Sequence, residues 1–262
     1  MKIFVTGGTG YIGSHTVVEL QKNGYDVIIA DNLVNSSLEV LDGIEKITGI
    51  RPEFEEIDLT DGEVTRDFFA RHSDIRAVIH FAALKAVGES VSKPLEYYFN
   101  NLNSLMNVLT CMREFKVPNL VFSSSCTVYG QADVLPVTEK TPRHEAESPY
   151  GNTKVMSEDI IRDLMRVEPD MKALALRYFN PIGAHPTAFI GELPNGVPNN
   201  LIPYLTQTAI GIREQLSVFG DDYNTPDGSP LRDYIDVVDL AQAHVVAIRR
   251  LLDGKNKKNY EF

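Results

Sequence analysis

The chain has 262 residues, of which 43% are apolar and 23% are charged, and this balance suits one large α/β domain, with or without a smaller lobe. Its formal net charge of -11 disfavours nucleic acid and anionic membranes as partners, because both repel an acidic surface. With only Cys111 and Cys126 the chain has no disulfide framework, which predicts a reducing compartment such as the cytoplasm.

Short β-branched runs alternate with longer helical patterns up to Phe179. The predicted strands are 2–6, 26–30, 52–57, 77–82, 119–124 and 172–178. The predicted helices between them are 12–23, 38–47, 62–71, 94–116 and 149–166. Apolar strands that alternate with helices indicate a parallel sheet covered on both faces, so we predict an α/β fold with a doubly wound (Rossmann) sheet. The chain starts directly as a strand and its apolar runs are short, so we expect neither a signal peptide nor a membrane span.

The composition changes after Phe179. Residues 180–203 are rich in Pro, Gly and Asn, which predicts loops that could line a ligand cleft. A helix at 203–213, strands at 216–219 and 233–236, and a helix at 238–252 are predicted to follow. We therefore divide the chain into a Rossmann domain, 1–179, and a smaller substrate-binding lobe, 180–262, interleaved with it.

The stretch TGGTGYIGSH places Gly7, Gly10 and Gly13 between the first predicted strand and the first helix. Glycines at this point permit a tight turn and let the backbone approach a pyrophosphate at the helix N-terminus. Asp31 ends the second strand, where a carboxylate accepts hydrogen bonds from ribose hydroxyls. We predict a dinucleotide site rather than a bare turn. The acid would repel a ribose phosphate, so NAD is favoured over NADP.

The stretch SPYGNTK resembles a helix start, with Ser148 as the N-cap and Pro149 in the first turn. Helical geometry then places Tyr150 and Lys154 on one face. A nearby ammonium favours the phenolate, so Tyr150 could act as a general base near neutral pH. The alternative is an ordinary amphipathic helix whose tyrosine packs and whose lysine is solvated.

The stretch FSSSCTVYG ends the fifth predicted strand, and ligands of such sheets bind beyond the carboxyl ends of strands. Ser125 could hydrogen-bond the substrate oxygen that Tyr150 deprotonates. Ser123 and Ser124 are expected to cap their own strand end. His80 is predicted to be a core histidine. The histidines show no metal-ligand spacing, so no metal is predicted.

The motifs TGGTGYIGSH, HFAALKAVGESVSKPLEYYFNN, FSSSCTVYG, SPYGNTK and RYFNPIGAHP together resemble the UDP-glucose 4-epimerase family of extended short-chain dehydrogenases/reductases. The resemblance covers the whole chain. It implies a homodimer with tightly held NAD that interconverts UDP-glucose and UDP-galactose through a 4-keto sugar, with Tyr150 as the base, Lys154 on the nicotinamide ribose and Ser125 on the sugar hydroxyl.

The resemblance also implies two sets of contacts. The implied cofactor-binding residues, besides the three catalytic ones, are Gly7, Gly10, Tyr11, Ile12, Gly13, Asp31, Asn32, Leu33, Val34, Asn35, Ser36, Asp58, Leu59, Phe81, Ala82, Ala83, Leu84, Lys85, Asn100 and Phe179. The implied substrate-binding residues, besides Ser125 and Tyr150, are Asn180, Asn200, Leu201, Phe219 and Arg232. Arg232 suits a diphosphate by charge, and its alternative role is an ion pair with Asp233 or Asp236.

Two alternatives remain at this stage. A dehydratase or decarboxylase of the same superfamily would need an acid and a base where this chain has Cys126 and Thr127. The second alternative is a protein that binds NAD or a UDP-sugar without turnover. It is kept open because the chain stops at NYEF, where the family continues, and we expect the substrate lobe to be incomplete and substrate binding to be weakened.

Overall fold

The computed structural model describes Met1–Phe262 and contains a seven-stranded parallel sheet. Its strands are β1 Lys2–Thr6, β2 Asp26–Asp31, β3 Glu53–Glu56, β4 Ile75–His80, β5 Asn119–Ser123, β6 Lys172–Leu176 and, from the far end of the chain, β9 Tyr260–Glu261. Their order across the sheet is β3-β2-β1-β4-β5-β6-β9. Because the order reverses beside β1, the carboxyl ends of β1 and β4 flank a crevice, as expected of a doubly wound fold. The predicted fold class is confirmed.

Helices cover both faces of this sheet. They are α1 Tyr11–Lys22, α2 Glu39–Thr48, α3 Gly62–Arg71, α4 Val87–Ser92, α5 Pro94–Glu114, α6 Pro149–Val167, α7 Leu201–Ala209 and α8 Val237–Leu252. A core of 21 buried residues lies on the face of α3, α5 and α6, and one of 18 lies on the face of α1, α2 and α8. No helix combines the length and apolar character needed to cross a membrane.

The last long helix packs against the first one. Val17 and Val18 of α1 are fully buried in the same core as Val245 and Ile248 of α8. The two helices come from opposite ends of the sequence, so this contact joins the N-terminal and C-terminal parts of the chain in one core.

The C-terminal part contributes to two places. A small parallel sheet pairs β7 Asn180–Ile182 with β8 Tyr234–Asp236, beside the crevice. Helix α8 and strand β9 return to the main sheet, where β9 pairs with β6. Residues 180–262 thus contribute both to the crevice and to the main sheet.

Several sequence-based element predictions need correction. The strand predicted at 216–219 is wrong, because the segment is irregular and Phe219 is 100% exposed, with no neighbouring strand to pair with. The helix predicted at 203–213 begins earlier and ends earlier, as α7. Three elements were missed: α4, β9 and the loop-like β7. A 3-10 helix, Cys126–Tyr129, was also missed.

Candidate active site

A single large cleft opens along the carboxyl ends of β1, β2, β4 and β5, with a volume of about 1380 Å³. It is bounded by the glycine loop at one end, by the start of α6 in the middle and by the loops around β7 and α7 at the other end. Cavities of roughly 300–1,000 Å³ hold one drug-sized ligand, so this cleft has room for a dinucleotide and a second molecule.

The glycine loop permits no side chain at two points. Gly7 has φ +67°, a left-handed conformation that favours glycine, and a Cβ there would lie 2.9 Å from the Ala82 nitrogen. A Cβ at Gly13 would lie 2.2 Å from the Gly7 carbonyl oxygen. The loop and the first turn of α1 therefore pack backbone against backbone, and they leave the N-terminal amides of α1 facing the cleft.

Asp31 lies at the end of β2, beside this loop. Its carboxylate accepts hydrogen bonds from the Thr9 amide at 3.3 Å, the Leu33 amide at 3.0 Å and the Ser36 hydroxyl at 3.2 Å. These donors fix the carboxylate at the cleft wall, where a ribose hydroxyl pair could reach its remaining acceptor positions.

The beginning of α6 places the predicted proton-transfer pair in the cleft. The Ser148 hydroxyl accepts from the Gly151 amide at 3.1 Å as the N-cap, and Pro149 occupies the first turn. The Lys154 ammonium lies 5.8 Å from the centre of the Tyr150 ring and donates to the Ser123 carbonyl at 2.7 Å. Tyr150 is half-buried, whereas Lys154 is 5% exposed.

Burial dominates the electrostatics of this pair. It raises the pKa of Tyr150 to about 12, although the Ser125 side chain acts in the opposite direction. Burial lowers the pKa of Lys154 to about 8, whereas the carboxylate of Glu158 acts to raise it.

His80 lies near the lysine, and burial together with the lysine charge lowers the pKa of His80 to about 3. His80 is therefore neutral at pH 7, and its Nδ1 bonds the Thr6 hydroxyl at 2.9 Å. The prediction of a core histidine is confirmed.

Of the three serines at the end of β5, one lies in the cleft as expected and two differ from the prediction. Ser125 lines the cleft, and its oxygen accepts from the Thr127 amide at 3.2 Å. The expected local capping by Ser123 and Ser124 is wrong. Ser123 is hydrogen-bonded to the Tyr178 hydroxyl, and Ser124 donates to Glu158 at 2.5 Å. Their hydroxyls connect β5 to other elements of the fold, because buried hydroxyls take the nearest available partner.

The cleft includes nearly all of the predicted cofactor-binding residues. Only Leu33 of that set is absent from the lining. Asp58 also lines the cleft, and its carboxylate accepts from the Thr60 amide at 2.9 Å. Lys85 lies across the cleft, 3.6 Å from the carboxylate of Glu192.

The predicted substrate-binding residues lie at the other end of the same cleft, with one exception. Asn180, Asn200, Leu201 and Arg232 line it, whereas Phe219 lies outside. Arg232 is exposed, and it forms no ion pair with either neighbouring aspartate that could have occupied it. Its guanidinium therefore remains available to an anion in the cleft.

Sequence reasoning missed three polar residues of the site. Tyr178 lines the cleft beside Ser123, and the Glu192 carboxylate accepts from the side-chain amide of Asn200 at 2.7 Å. Glu158 is buried one helical turn beyond Lys154. Only Glu158 carried a sequence signal, namely an acidic residue at the next i+4 position of the face that holds Tyr150 and Lys154. No group of three or more His, Cys, Asp or Glu side chains is arranged to hold a metal ion.

The profile of the NAD dependent epimerase/dehydratase family matches residues 3–261, and the chain belongs to this family. Within it, a UDP-glucose 4-epimerase from Bacillus subtilis is 53% identical over 260 residues, which covers 99% of this chain and 76% of that relative. A UDP-glucose 4-epimerase from Mus musculus is 51% identical over 265 residues, with coverage of 99% and 76%. The resemblance inferred from the motifs is confirmed.

Solved structures show the same relationship. The UDP-glucose 4-epimerase from Bifidobacterium longum in complex with NAD+ and UDP superposes with a TM-score of 0.95 at 46% identity, and covers 100% of this chain and 76% of that chain. The UDP-Glc/GlcNAc 4-epimerase from Campylobacter jejuni superposes with a TM-score of 0.82 at 35% identity. The family is described as NAD dependent, in agreement with the cofactor predicted from the glycine loop and Asp31.

Proposed function

We propose that this chain interconverts UDP-glucose and UDP-galactose by reversible oxidation at C4 of the sugar, with bound NAD. The observation that carries the proposal is the single cleft that brings together the glycine loop with Asp31, the Tyr150–Lys154 pair and Arg232. The similarity to UDP-glucose 4-epimerases at about half identity supports the choice of substrate.

The residues of the cleft fit a dinucleotide. A Cβ at Gly7 or Gly13 would collide with backbone, so the loop keeps its amides open to a pyrophosphate. Asp31 would accept hydrogen bonds from the adenosine ribose, and Asp58 would contact the adenine. Lys154 would hold the nicotinamide ribose. When bound, NAD supplies the acceptor and donor of the C4 hydride and a positive ring that favours the phenolate.

Tyr150 then acts as the base. It takes the proton of the sugar's C4 hydroxyl. It returns this proton to the C4 oxygen after the 4-keto sugar has rotated to present its other face. In the protein alone burial holds the pKa of Tyr150 at about 12, so positive charge near its oxygen is required for this role at neutral pH. Lys154 provides part of that charge. Ser125 hydrogen-bonds the same sugar oxygen, while Asn200 and Arg232 hold the diphosphate as the sugar rotates.

The dehydratase alternative is not favoured. Such an enzyme needs an acid and a base where this chain has Cys126 and Thr127. Burial raises the pKa of the Cys126 thiol, and the Thr127 hydroxyl is buried without a hydrogen-bond partner. Neither group can expel a C6 hydroxyl near pH 7.

The direct test is a coupled assay that follows UDP-glucose formed from UDP-galactose by the NAD-loaded protein. The expected result is turnover by the wild type that is lowered about 10²–10⁴-fold in Tyr150→Phe. NAD-loaded protein that shows no turnover in either direction would refute the proposed reaction, and release of a dehydrated 4-keto-6-deoxy product would support the alternative.

We also propose a homodimer in the cytoplasm. Helix α5 exposes an apolar stripe in which Leu95 is 81% and Phe99 63% exposed, and Met156 of the adjacent α6 is 38% exposed. Antiparallel helices of two copies would cover such a stripe as a bundle. Sedimentation at micromolar concentration should show a dimer, and Phe99→Asp should shift it to monomer. A monomeric wild type would contradict the proposal.

The proposed location in the cytoplasm rests on the two free cysteines, which are consistent with a reducing compartment.

A further inference from the structure

Glu158 is a buried carboxylate directly behind the proposed proton-transfer pair. It is 1% exposed and lies on α6 one turn after Lys154, on the face that also carries Tyr150. It does not itself line the cleft. A carboxylate in this position costs free energy unless it is paired and hydrogen-bonded.

The carboxylate of Glu158 joins three elements of the fold. It accepts from the Ser124 hydroxyl at 2.5 Å and from Arg177 through Nε at 2.8 Å and Nη2 at 2.6 Å. Ser124 follows β5, and Arg177 follows β6. The Arg177 guanidinium also donates to the Tyr129 hydroxyl at 3.3 Å, in the 3-10 helix that begins after Ser125.

These connections lie next to the reacting side chains. Ser124 is flanked by Ser123, whose carbonyl accepts from the Lys154 ammonium, and by Ser125, which is placed for the sugar hydroxyl. A shift of α6 against the end of β5 would therefore move the lysine and the serine relative to each other. A misplacement of about 1 Å can cost roughly 10²-fold in rate.

We propose that Glu158 is a positioning residue of this site, which holds α6 against the ends of β5 and β6 and keeps Lys154 cationic beside Tyr150. The inference rests on the proposed function, because it assigns Glu158 to that reaction. A purely structural ion pair would be replaceable by apolar residues of similar volume with little loss. The positioning role instead requires the negative charge.

The negative charge of Glu158 acts on the ammonium group of Lys154. Burial lowers the pKa of Lys154, and the Glu158 carboxylate is the group that opposes this shift. The other groups around the lysine offer no substitute. His80 of β4 is neutral, and β5 presents only uncharged groups, the Ser123 carbonyl and the face of the Phe122 ring, whose centre lies 5.0 Å from the ammonium. Tyr150 is protonated in the protein alone. Arg177, and Arg143 at 3.7 Å, face the carboxylate from its other side.

The test uses the NAD-loaded protein with carbon-13 labelled lysine, in which Lys154→Met assigns the Lys154 signal. In Glu158→Gln we expect the titration midpoint of Lys154 to fall by roughly one pH unit, as for a unit charge removed one helical turn away. Ser124→Ala is the matched control, because it removes one hydrogen bond and keeps the charge. Its midpoint should equal that of the wild type.

Turnover gives the second readout. Glu158→Gln should lower kcat roughly 10–100-fold, leave KM for UDP-galactose within about twofold, and shift the alkaline limb of the pH profile to lower pH. Because Glu158→Gln leaves Arg177 buried and unpaired, the variant Glu158→Gln/Arg177→Met is measured beside it. Its Lys154 midpoint should also lie below that of the wild type, and its kcat should show the same loss.

The outcomes separate the two proposals. A Lys154 midpoint unchanged in both Glu158 variants, or an unchanged kcat in the presence of a lowered midpoint, would overturn the positioning role. A wild type without turnover would refute the proposed reaction, whereas the titration of Lys154 would still show whether Glu158 controls its charge.

Discussion

The close packing of Gly13 against the glycine loop makes Gly13→Ala a stringent test of the cofactor site. The added methyl group would lie 2.2 Å from the Gly7 carbonyl oxygen and 2.8 Å from the Gly8 Cα. Both neighbours are backbone atoms, so the loop itself must move by roughly 1 Å to reach ordinary contact distance. Overpacking of this kind costs about 1–3 kcal/mol, against a helix-propensity gain of about 1 kcal/mol for replacing glycine by alanine within a helix.

We expect a net loss of about 2 kcal/mol, because no side chain can give way. For a chain of this size that corresponds to a fall in Tm of roughly 4–8 °C. The displaced loop should also lose charge-assisted hydrogen bonds to the pyrophosphate, which lowers NAD affinity by roughly 10–100-fold. The assays are a thermal melt of the cofactor-free protein and quantification by mass spectrometry of the nucleotide released on denaturation.

Gly88→Ala is the matched control. Gly88 is exposed in α4, and a Cβ there meets no atom within 4 Å. This variant should melt at or slightly above the wild-type temperature and retain its NAD. If Gly13→Ala behaved like Gly88→Ala in both assays, the backbone packing of the glycine loop would not be what forms the cofactor site.

Three further predictions concern the polar residues of the cleft. Tyr150→Phe should keep NAD at wild-type occupancy but lose turnover by about 10²–10⁴-fold, and near-normal kcat would refute its role as the base. Asp31→Asn should weaken NAD binding by roughly 10–100-fold in calorimetry, while an unchanged affinity would remove Asp31 from the site. Because burial depresses the pKa of Lys154 from 10.5 in the unfolded chain to about 8, the unfolded state binds the extra proton between these values. The unfolding free energy of the wild type should therefore rise with pH across this window relative to Lys154→Met in denaturant titrations, and parallel curves would contradict the shift.

Local backbone requirements made the sheet and the glycine loop predictable. Gly7 is required by its own left-handed backbone and Gly13 by a contact with the Gly7 carbonyl a few residues earlier. The apolar runs of the parallel strands are long enough to show their type. The two-residue strand β9 has no period to detect, and it exists only because the edge of β6 is available. The segment 216–219 has strand-like composition, yet no sheet edge lies beside it to accept its hydrogen bonds.

The hydrogen-bond partners of the buried polar side chains could not be predicted from composition. Ser124 and Arg177 are 53 positions apart in sequence numbering, and their shared partner Glu158 becomes evident only when β5, β6 and α6 are packed together. Leu33 and Phe219 show the converse. Each occupies a position implied by resemblance, but neither residue lines the cleft.

The packing of α8 on α1 has a consequence for how the cofactor site comes into being. Helix α1 carries the amides that face the cleft, and its buried side is completed by Val245 and Ile248. These residues are synthesised more than two hundred positions after the loop that they support. On a ribosome, the N-terminal strand and its helix therefore wait, with apolar surface exposed, until α8 has emerged. Stable capture of a dinucleotide should accordingly be one of the last events in the maturation of this chain, although its binding loop is among the first segments made.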